Sequence, residues 1–265
     1  MARKKRLRIA SYNINGINSR LQVLTRWLEA FKPDIVGLQE LKCTDEAFPR
    51  AAIEALGYAA IWHGQPPRSW NGVALLSKVG EPVETRRALP GDPNLEQSRY
   101  IEAAICGILI GNMYAPNGNP WPGPKFDYKL AWLDALSEHA QSLIDGKVPA
   151  ILIGDYNVIP TDIDVYKPER WAKDALFAPA AKEKYRALVA QGWTDALRHL
   201  HPDERTYTFW HYWRHSFERD AGIRIDHALL SPVLAKSLKA AGVDRSPRGW
   251  DKTSDHAPMW VEVEV

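Results

Sequence analysis

Val148-Pro-Ala-Ile-Leu-Ile-Gly-Asp-Tyr-Asn157 is the stretch that decides the fold: a short apolar run that ends abruptly at polar residues. Val148 to Gly154 predicts a compact buried strand, because short apolar runs bounded by turn residues are typical of strands covered on both faces. Asp155 and Asn157 follow this strand directly. Loops after strand ends carry the ligand sites of layered α/β proteins, so this pair is a candidate for chemistry.

Helices and strands alternate along the rest of the chain. Strands are predicted at 7–14, 34–39, 72–76, 101–114, 223–230 and 260–265, and helices at 20–31, within 124–144 and at 182–190. In the first helix Leu21, Leu24 and Leu28 recur at helical spacing, Asn18-Ser19 can cap its start and Pro33 stops it. The irregular run 160–179 exceeds the usual loop length, which indicates a functional or ligand-facing segment. We expect one layered α/β domain over residues 1–265.

Composition excludes several classes of protein. Apolar residues make up 45% and charged residues 25% of the 265 positions, as in soluble globular proteins, and the net charge of +2 does not by itself indicate a nucleic-acid binder. Cys43 and Cys106 form no metal-binding or disulfide pattern, which favours a reducing, cytoplasmic location. No apolar run approaches a membrane span or a signal peptide. The basic start, residues 1–8, is either a solvated tail or a contact for a phosphate backbone.

Polar residues follow the apolar strands at six places. They are Asn13 and Asn15, Glu40, Tyr114 and Asn117, Asp155 and Asn157, Asp226, and the pair Asp255-His256. Each alone is more typical of a turn, a cap or a local hydrogen bond than of a catalytic group. The prediction of one shared pocket depends on the whole set.

Hydrolysis of a phosphodiester explains such a set. A hard cation such as Mg²⁺ neutralises charge on the phosphate oxygens and needs only one or two protein carboxylates, of which Glu40 is a candidate. An Asp or a His can orient and deprotonate the attacking water, and amides, a phenol or a histidine can donate to the phosphate. An Asp beside a His can set the ring's tautomer and stabilise its charged form.

Eight motifs together resemble the exonuclease III-type abasic-site endonucleases. They are Tyr12-Asn-Ile-Asn-Gly16, Leu38-Gln-Glu-Leu-Lys42, Asn71-Gly-Val-Ala-Leu-Leu76, Met113-Tyr-Ala-Pro-Asn-Gly118, Gly154-Asp-Tyr-Asn157, Tyr207-Thr-Phe-Trp210, Arg224-Ile-Asp226 and Ser254-Asp-His256. They run through nearly the whole chain in the family's order, which makes the set far more specific than any one motif.

The resemblance implies a fold, a reaction and a substrate. The fold is a four-layer α/β sandwich, two packed mixed β-sheets flanked by helices. The reaction is Mg²⁺-dependent, or Mn²⁺-dependent, cleavage of DNA 5′ to abasic sites in base excision repair, leaving a 3′-hydroxyl. It also implies 3′→5′ exonuclease and 3′-phosphatase or phosphodiesterase activities. The expected partner is double-stranded DNA with abasic sites or blocked 3′ ends, bound by a monomer.

Site roles come from the same resemblance, position by position. Glu40 matches the metal-binding glutamate and Asn13 its neighbour, and Asp255 matches an acidic residue near the metal, with Asp155 and Asn157 included in the candidate metal set. Asp155 and Asn157 match the pair that positions the attacking water, Tyr114 and His256 match phosphate-contacting residues, and Asp226 matches the partner of the histidine. Phe209, Ile223 and Ile225 match an apolar pocket for the flipped-out sugar. The candidate DNA- and phosphate-binding residues are Asn15, Lys42, Arg68, Asn117 and Lys125, with the three basic ones in predicted loops.

Several alternatives stay open at this level. Either Asp155 or His256 can be the general base, and one metal or two can act. Ile223 stands where many members have tryptophan, and the loop Pro66-Pro-Arg-Ser-Trp70 is longer than in close relatives, so it either inserts into DNA or merely varies. A related metal phosphoesterase would act on phosphoinositides, sphingomyelin or unspecific DNA. A catalytically dead DNA-binding module would not need the intact set.

Overall fold

The computed structural model describes residues 5–65 and 70–265. Twelve strands occur in these ranges. They are β1 (Arg6–Asn13), β2 (Ile35–Gln39), β3 (Ala59–His63), β4 (Val73–Ser77), β5 (Val83–Arg86), β6 (Tyr100–Ile105), β7 (Ile108–Tyr114), β8 (Ala150–Asp155), β9 (Thr194–Asp195), β10 (Asp226–Leu230), β11 (Leu238–Val243) and β12 (Met259–Glu264). None of the helices in the described ranges is long and apolar enough to cross a membrane.

The helices are mostly short. They are α1 (Leu21–Phe31), α2 (Arg50–Glu54), α3 (Pro124–Asp145), α4 (Pro179–Ala190), α5 (Ala196–Leu200) and α6 (Pro232–Ala235), with 3₁₀ turns at Asp162–Asp164, Pro168–Arg170 and Ser246–Gly249. Two of these turns lie in the long run 160–179, which has no longer element of its own.

Each sheet is mixed and has one parallel pair near its centre. The first sheet has the order β11-β12-β1-β2-β4-β3 and the second has the order β5-β6-β7-β8-β10-β9. The pairs β1/β2 and β7/β8 are parallel and all other pairs are antiparallel. A parallel pair needs a crossover connection, which α1 supplies in the first sheet and α3 in the second. The carboxyl ends of each parallel pair therefore point the same way.

The layers of the fold are defined by which face of a sheet each buried side chain lies on. Ile151 and Ile153 of β8 join the aliphatic core between the sheets, whereas Leu152 packs with Trp132 of α3 on the outer face. On the opposite side of the molecule, Trp27 of α1 packs on the first sheet. The order helix, sheet, sheet, helix confirms the predicted four-layer sandwich. The β8 side chains are at most 1% exposed, and burying one aliphatic side chain of this size contributes about 1.5–3 kcal/mol.

Some local predictions are wrong. Asn18 and Ser19 do not cap α1: Arg20 is at the N-cap, no side chain caps the helix, and Ser19 Oγ donates instead to the Gly16 carbonyl, 2.9 Å away. The predicted strand 223–230 begins only at Asp226, because Ile223 pairs in isolated bridges with Val165 and Phe209. The run 101–114 is two strands, β6 and β7, separated by a turn at Cys106-Gly107 with φ of 50° and 78°.

Candidate active site

A cavity of about 280 Å³ lies at one end of both sheets, where the parallel strands finish. It brings together eleven of the predicted site residues. These are Asn15, Glu40, Lys42, Tyr114, Asn117, Asp155, Asn157, Phe209, Ile225, Asp255 and His256. The run 160–179, predicted to face a ligand, contributes Trp171, Asp174 and Leu176 to the same wall.

Strand register explains why these side chains meet. In the first sheet Asn13 pairs with Gln39, so Asn13 and Glu40 emerge side by side where β1 and β2 end. In the second sheet Asp155 pairs with Tyr114 on one side and with Asp226 on the other. The pocket is thus the meeting point of two sheet ends.

Asn13 joins the two sheets at the bottom of the site. Its fully buried amide nitrogen donates to Glu40 Oε1 at 2.8 Å and to Asp155 Oδ2 at 3.0 Å. Burial, with the nearby Asp226 and Glu40 carboxylates, raises the pKa of Asp155 to about 7. The site therefore concentrates negative charge at the foot of the pocket.

The donor set at this point fits a hard divalent cation. Glu40 and Asp155 each offer a carboxylate oxygen, and these oxygens and a ring nitrogen of His256 all lie within 4.8 Å of one another. Carboxylate oxygens are the ligands that Mg²⁺ prefers, and a cation between them would offset the charge that raises the pKa of Asp155. Lys42 Nζ lies 2.9 Å from Glu40 Oε2 and partly balances the same charge.

His256 forms a buried pair with Asp226. Its Nδ1 donates to Asp226 Oδ2 at 2.8 Å, as predicted, and its Nε2 lies 3.8 Å from Asp155 Oδ2 on the pocket side. Burial opposes the charged ring, but the Asp226 carboxylate outweighs it and raises the pKa of His256 to about 10. The ring is therefore an imidazolium near neutral pH, with Nε2–H as a donor into the pocket.

Four pocket residues have a left-handed backbone. The φ angles are 51° at Asn15, 53° at Glu40, 51° at Lys42 and 50° at Asn157. For residues other than glycine this region costs roughly 1–2 kcal/mol. Local hydrogen bonds hold this backbone at Asn15 and Asn157, since Asn13 Oδ1 accepts from the Asn15 N–H and Asp155 Oδ1 from the Asn157 N–H. Strained backbone of this kind is concentrated at functional sites, where it can direct side chains into a pocket that an unstrained strand end would not allow them to face.

The apolar wall has two layers. Phe209 packs edge-on against His256, with ring centroids 5.0 Å apart, and Ile225 lines the cavity beside it. Ile223 is 1% exposed and pairs with Phe209 from behind, so it supports this wall without lining the cavity. Arg224, between the two isoleucines, is buried, with its guanidinium 2.6 Å from Asp164 Oδ1 and 2.8 Å from Asp195 Oδ2.

Lys129 is a site residue that the sequence analysis missed. Its fully buried ammonium group donates to the carbonyls of Asn117 and Asn157, and more weakly to that of Ala175 at 3.4 Å. One side chain of α3 thus holds three loops of the pocket. A signal was present, because Lys129 occupies a core position of the helical pattern ahead of Leu133 and Leu136.

Other lining residues also went unpredicted: Asn119, Trp171, Asp174, Leu176 and His211. Asn119 Nδ2 donates to Asp174 Oδ1 at 3.0 Å, and this bond ties the loop after β7 to the run 160–179. His211 follows the Tyr207-Thr-Phe-Trp210 motif directly, and this position next to a recognised motif was its only sequence signal.

Lys125, one of the predicted DNA contacts, does not line the cavity. Lys125 is exposed, but it lies in the first turn of α3 and not in a loop as predicted. Arg68 and the loop residues 66–69 lie outside the described residues, as does the start of the basic segment, residues 1–4. At the edge of that loop Trp70 is 71% exposed, and Lys42 Nζ lies 5.0 Å from the centroid of its ring.

Comparison with known proteins agrees with this geometry. The model of the Endonuclease/Exonuclease/phosphatase family matches residues 10–256. Exodeoxyribonuclease III of Haemophilus influenzae is 35% identical over 97% of this chain and 100% of its own length. An AP endonuclease from Archaeoglobus fulgidus superimposes with a TM-score of 0.92 at 36% identity, covering 98% of this chain and 100% of the other.

A third relative is the 3′-5′ exonuclease NExo of Neisseria meningitidis, with a TM-score of 0.93, 36% identity and coverage of 98% and 100%. A second structure of NExo describes it as a 3′ phosphatase bound to a product DNA hairpin, with a TM-score of 0.91, 35% identity and the same coverage. The chain belongs to the Endonuclease/Exonuclease/phosphatase family. The family, the fold and the nuclease class of enzyme predicted from the sequence are therefore confirmed.

Proposed function

We propose that this protein is a Mg²⁺-dependent DNA phosphodiesterase of base excision repair that cuts duplex DNA 5′ to abasic sites and trims blocked 3′ ends. The observation that carries the proposal is the convergence of Glu40, Asp155 and the Asp226–His256 pair on one pocket. The names of its relatives, an exodeoxyribonuclease, an AP endonuclease and a 3′ phosphatase, support the same class of substrate.

Asp155 is the general base in this proposal. A base must lie within reach of the attacking water, and the Asp155 carboxylate lies at the foot of the pocket, held there by Asn13 Nδ2 and by the Asn157 N–H. The Asp226 carboxylate raises the pKa of His256 against the effect of burial, which favours the protonated ring and makes it the poorer acceptor for the water's proton. Asp155 takes a proton from the water as the water oxygen bonds to phosphorus, and the bond from phosphorus to the 3′ oxygen breaks. The leaving 3′ oxygen takes up a proton from solvent and becomes the 3′-hydroxyl, while the phosphate stays on the 5′ end of the other product.

His256 then acts as a cationic donor to the phosphate. Its Nε2–H points to the pocket side, while Nδ1–H is held by Asp226. Tyr114 ends β7 beside Asp155, and its phenol is the second proposed donor. Burial, then the Glu40 and Asp155 charges, raise the pKa of Tyr114 well above its ordinary value, so the phenol keeps its proton. Donors fixed before the reaction stabilise the charge that develops on the phosphate.

Glu40 and Asp155 are the proposed ligands of Mg²⁺, or of Mn²⁺ in its place. The cation would neutralise charge on the phosphate oxygens. Asn13 and Asn157 support this set: Asn13 orients both carboxylates, and the Asn157 N–H donates to Asp155. Asp255 lies near it and accepts from Asn15 Nδ2 at 2.9 Å.

The substrate groups beyond the phosphate follow from the walls. Phe209 and Ile225 give an apolar recess suited to a sugar that carries no base, with Ile223 behind them. Asn15, Lys42 and Asn117 line the cavity and are the proposed phosphate contacts. Arg68 and Lys125 are proposed as further phosphate contacts. Because both sheets contribute to the one pocket, we propose a single catalytic domain that acts as a monomer. We propose a cytoplasmic location, together with the chromosomal DNA that it would act on.

One comparison tests this function. A duplex with one abasic site and an intact duplex with a recessed 3′ end are each incubated with the protein, in Mg²⁺ and in EDTA. We expect incision 5′ to the abasic site and shortening of the recessed end, both abolished by EDTA. Activity on phosphoinositide or sphingomyelin with none on either duplex would contradict the proposal. So would tight DNA binding without any cleavage.

A further inference from the structure

A second cavity, of about 270 Å³, adjoins the catalytic pocket. The two share one wall, formed by Trp171, Asp174 and His211. A volume just below the roughly 300 Å³ at which ligand sites usually begin suits one small planar group better than a larger ligand. Any group in this cavity is next to whatever occupies the catalytic pocket.

The shared wall is built from parallel aromatic rings. The Trp171 and His211 rings are inclined by only 2°, with centroids 5.9 Å apart, and the His211 and Trp213 rings by 15°, with centroids 4.3 Å apart. Trp213, at the end of this stack, is 59% exposed. The exposed face of Trp213 continues this stack, and stacked rings with an open face are how proteins hold nucleobases.

The rest of the second cavity is basic. Arg170, Arg214 and Arg219 line it, and none of the three forms an ion pair with another residue in the described ranges. Asp174 is the one carboxylate in the described lining, and its Oδ1 already accepts from Asn119 Nδ2 and from the Leu176 N–H. The cavity therefore offers cations and aromatic rings to an occupant, which is the combination used for single-stranded nucleotides.

The turn that carries Trp213 is held in shape before any ligand binds. Ser216 Oγ donates to the Trp213 carbonyl at 2.7 Å, and the Ala221 N–H donates to the Ser216 carbonyl at 2.8 Å. Arg214 has a left-handed backbone with φ of 59°, and its carbonyl accepts from Arg219 Nη1 at 3.1 Å. A preformed turn loses little conformational entropy when a ligand binds, so its contacts are translated into affinity.

We propose that this second cavity, the base pocket, binds the nucleobase of the nucleotide whose 5′ phosphate is cut. Its members are Tyr166, Arg170, Trp171, Trp213, Arg214 and Arg219. The inference rests on the proposed function, because the scissile phosphate must lie at Asp155 and His256. His211 packs edge-on to Phe209 with centroids 4.9 Å apart and lines both cavities, so the base pocket begins one side chain away from the apolar recess proposed for the sugar. The base pocket then serves removal of an ordinary terminal nucleotide, and abasic sites and 3′ phosphates leave it empty.

Three duplexes of identical sequence test the inference. Their recessed 3′ strands end in an ordinary nucleotide, in a 3′ phosphate, or in an abasic tetrahydrofuran residue. Trp213→Ala should lower kcat/KM about 10- to 100-fold on the first, mainly through KM, because one base–aromatic stack is lost. The other two substrates should change by less than about twofold. Trp213→Phe should retain most of the exonuclease activity, and Trp250→Ala, at a partly exposed indole outside both cavities, should change nothing.

An equal loss on all three duplexes, or an unchanged exonuclease, would overturn the base pocket. A binding measurement separates this failure from failure of the nuclease proposal. With Ca²⁺ replacing Mg²⁺, a terminal 2-aminopurine should lose fluorescence on binding to the wild type and keep it with Trp213→Ala. If the wild type quenches 2-aminopurine but hydrolyses none of the duplexes, the nuclease proposal fails, and the cavity binds a nucleobase without the proposed role in cleavage.

Discussion

The Asp226→Asn substitution gives the sharpest test of the catalytic pair. Asp226 holds His256 Nδ1 at 2.8 Å and, against the effect of burial, raises the pKa of the ring to about 10. Asparagine can accept the same hydrogen bond but removes the charge. The ring then keeps its proton on Nδ1 and presents a lone pair on Nε2 to the phosphate, which repels it. Removal of one such preorganised donor costs about 10²–10³ in kcat.

The size of the pH effect follows from the two pKa values. In the wild type the ring is almost fully charged at pH 7.5, because the pKa of His256 is about 10. At the ordinary value of about 6.5 only about a tenth of the rings would be charged at that pH. Since the protonated ring is the active form, activity is lost as the pH rises through the pKa of His256. The alkaline limb of the variant should therefore move down by roughly three pH units.

The assay is kcat/KM on an abasic duplex from pH 5.5 to 10 at saturating Mg²⁺. The matched control is Glu102→Gln, the same chemical change in a second buried pair, where Glu102 Oε2 lies 2.7 Å from His139 Nε2 outside the pocket. Glu102→Gln should lower stability and leave the alkaline limb in place. Wild-type activity and an unmoved limb in Asp226→Asn would refute the reasoning.

Four further predictions concern metal, DNA, positioning and acid stability. Glu40→Gln should keep the fold but greatly weaken Mg²⁺ binding in calorimetric titration, because a neutral amide replaces a proposed ligand; unchanged affinity would remove Glu40 from the metal site. Binding to a non-cleavable duplex should weaken as the salt concentration rises. The slope of the logarithm of the binding constant against the logarithm of the salt concentration should fall by about 1 for each phosphate-contacting lysine that is neutralised, as in Lys42→Met. A binding constant that does not change with salt would count against DNA as the substrate. Lys129→Met should leave buried carbonyls without a donor, so it should lower the free energy of unfolding measured in urea by about 1–3 kcal/mol and reduce kcat. A kcat equal to that of the wild type would show that the three loops keep their positions without Lys129. The Arg224 guanidinium lowers the pKa of Asp164 to about 2, although burial of the carboxylate opposes this shift. The ionised Asp164 therefore adds about 2 kcal/mol to the free energy of unfolding above pH 4, and this contribution is lost as the pH falls through about 2. Asp164→Asn should be less stable at pH 7 and show a flatter acid-unfolding curve in that window; a curve with the wild-type slope would contradict the assignment.

The local sequence pattern was enough to predict the strands that are buried on both faces and to single out the polar residues at their ends. The β8 run could only be a covered strand, because its apolar side chains had to be removed from water on two sides. Asp155 and Glu40 stood out only as members of a set of polar residues that follow apolar strands, because each of them alone is more typical of a turn or a cap. The motif set then supplied the family, the fold and the assignment of roles.

Only the tertiary structure decided which residues face each other. The register of β8 against β7 and β10 sets Tyr114, Asp155 and Asp226 side by side, and nothing within any one strand specifies that register. The sequence identifies Lys129 only as a residue of a helix. The contacts of its ammonium group with three loops are visible only in the tertiary structure.

The same limit applies to the base pocket and to the strained backbone of the site. Trp171 and His211 lie forty positions apart and stack only because the run 160–179 packs against the segment after Phe209. The left-handed backbone at Glu40 has no local cause in its sequence; the adjoining Leu41 N–H bonds to the Gly72 carbonyl of a different loop. Periodicity and composition report whether a side chain is buried, whereas its partners depend on how distant segments pack, and that packing is a property of the whole chain.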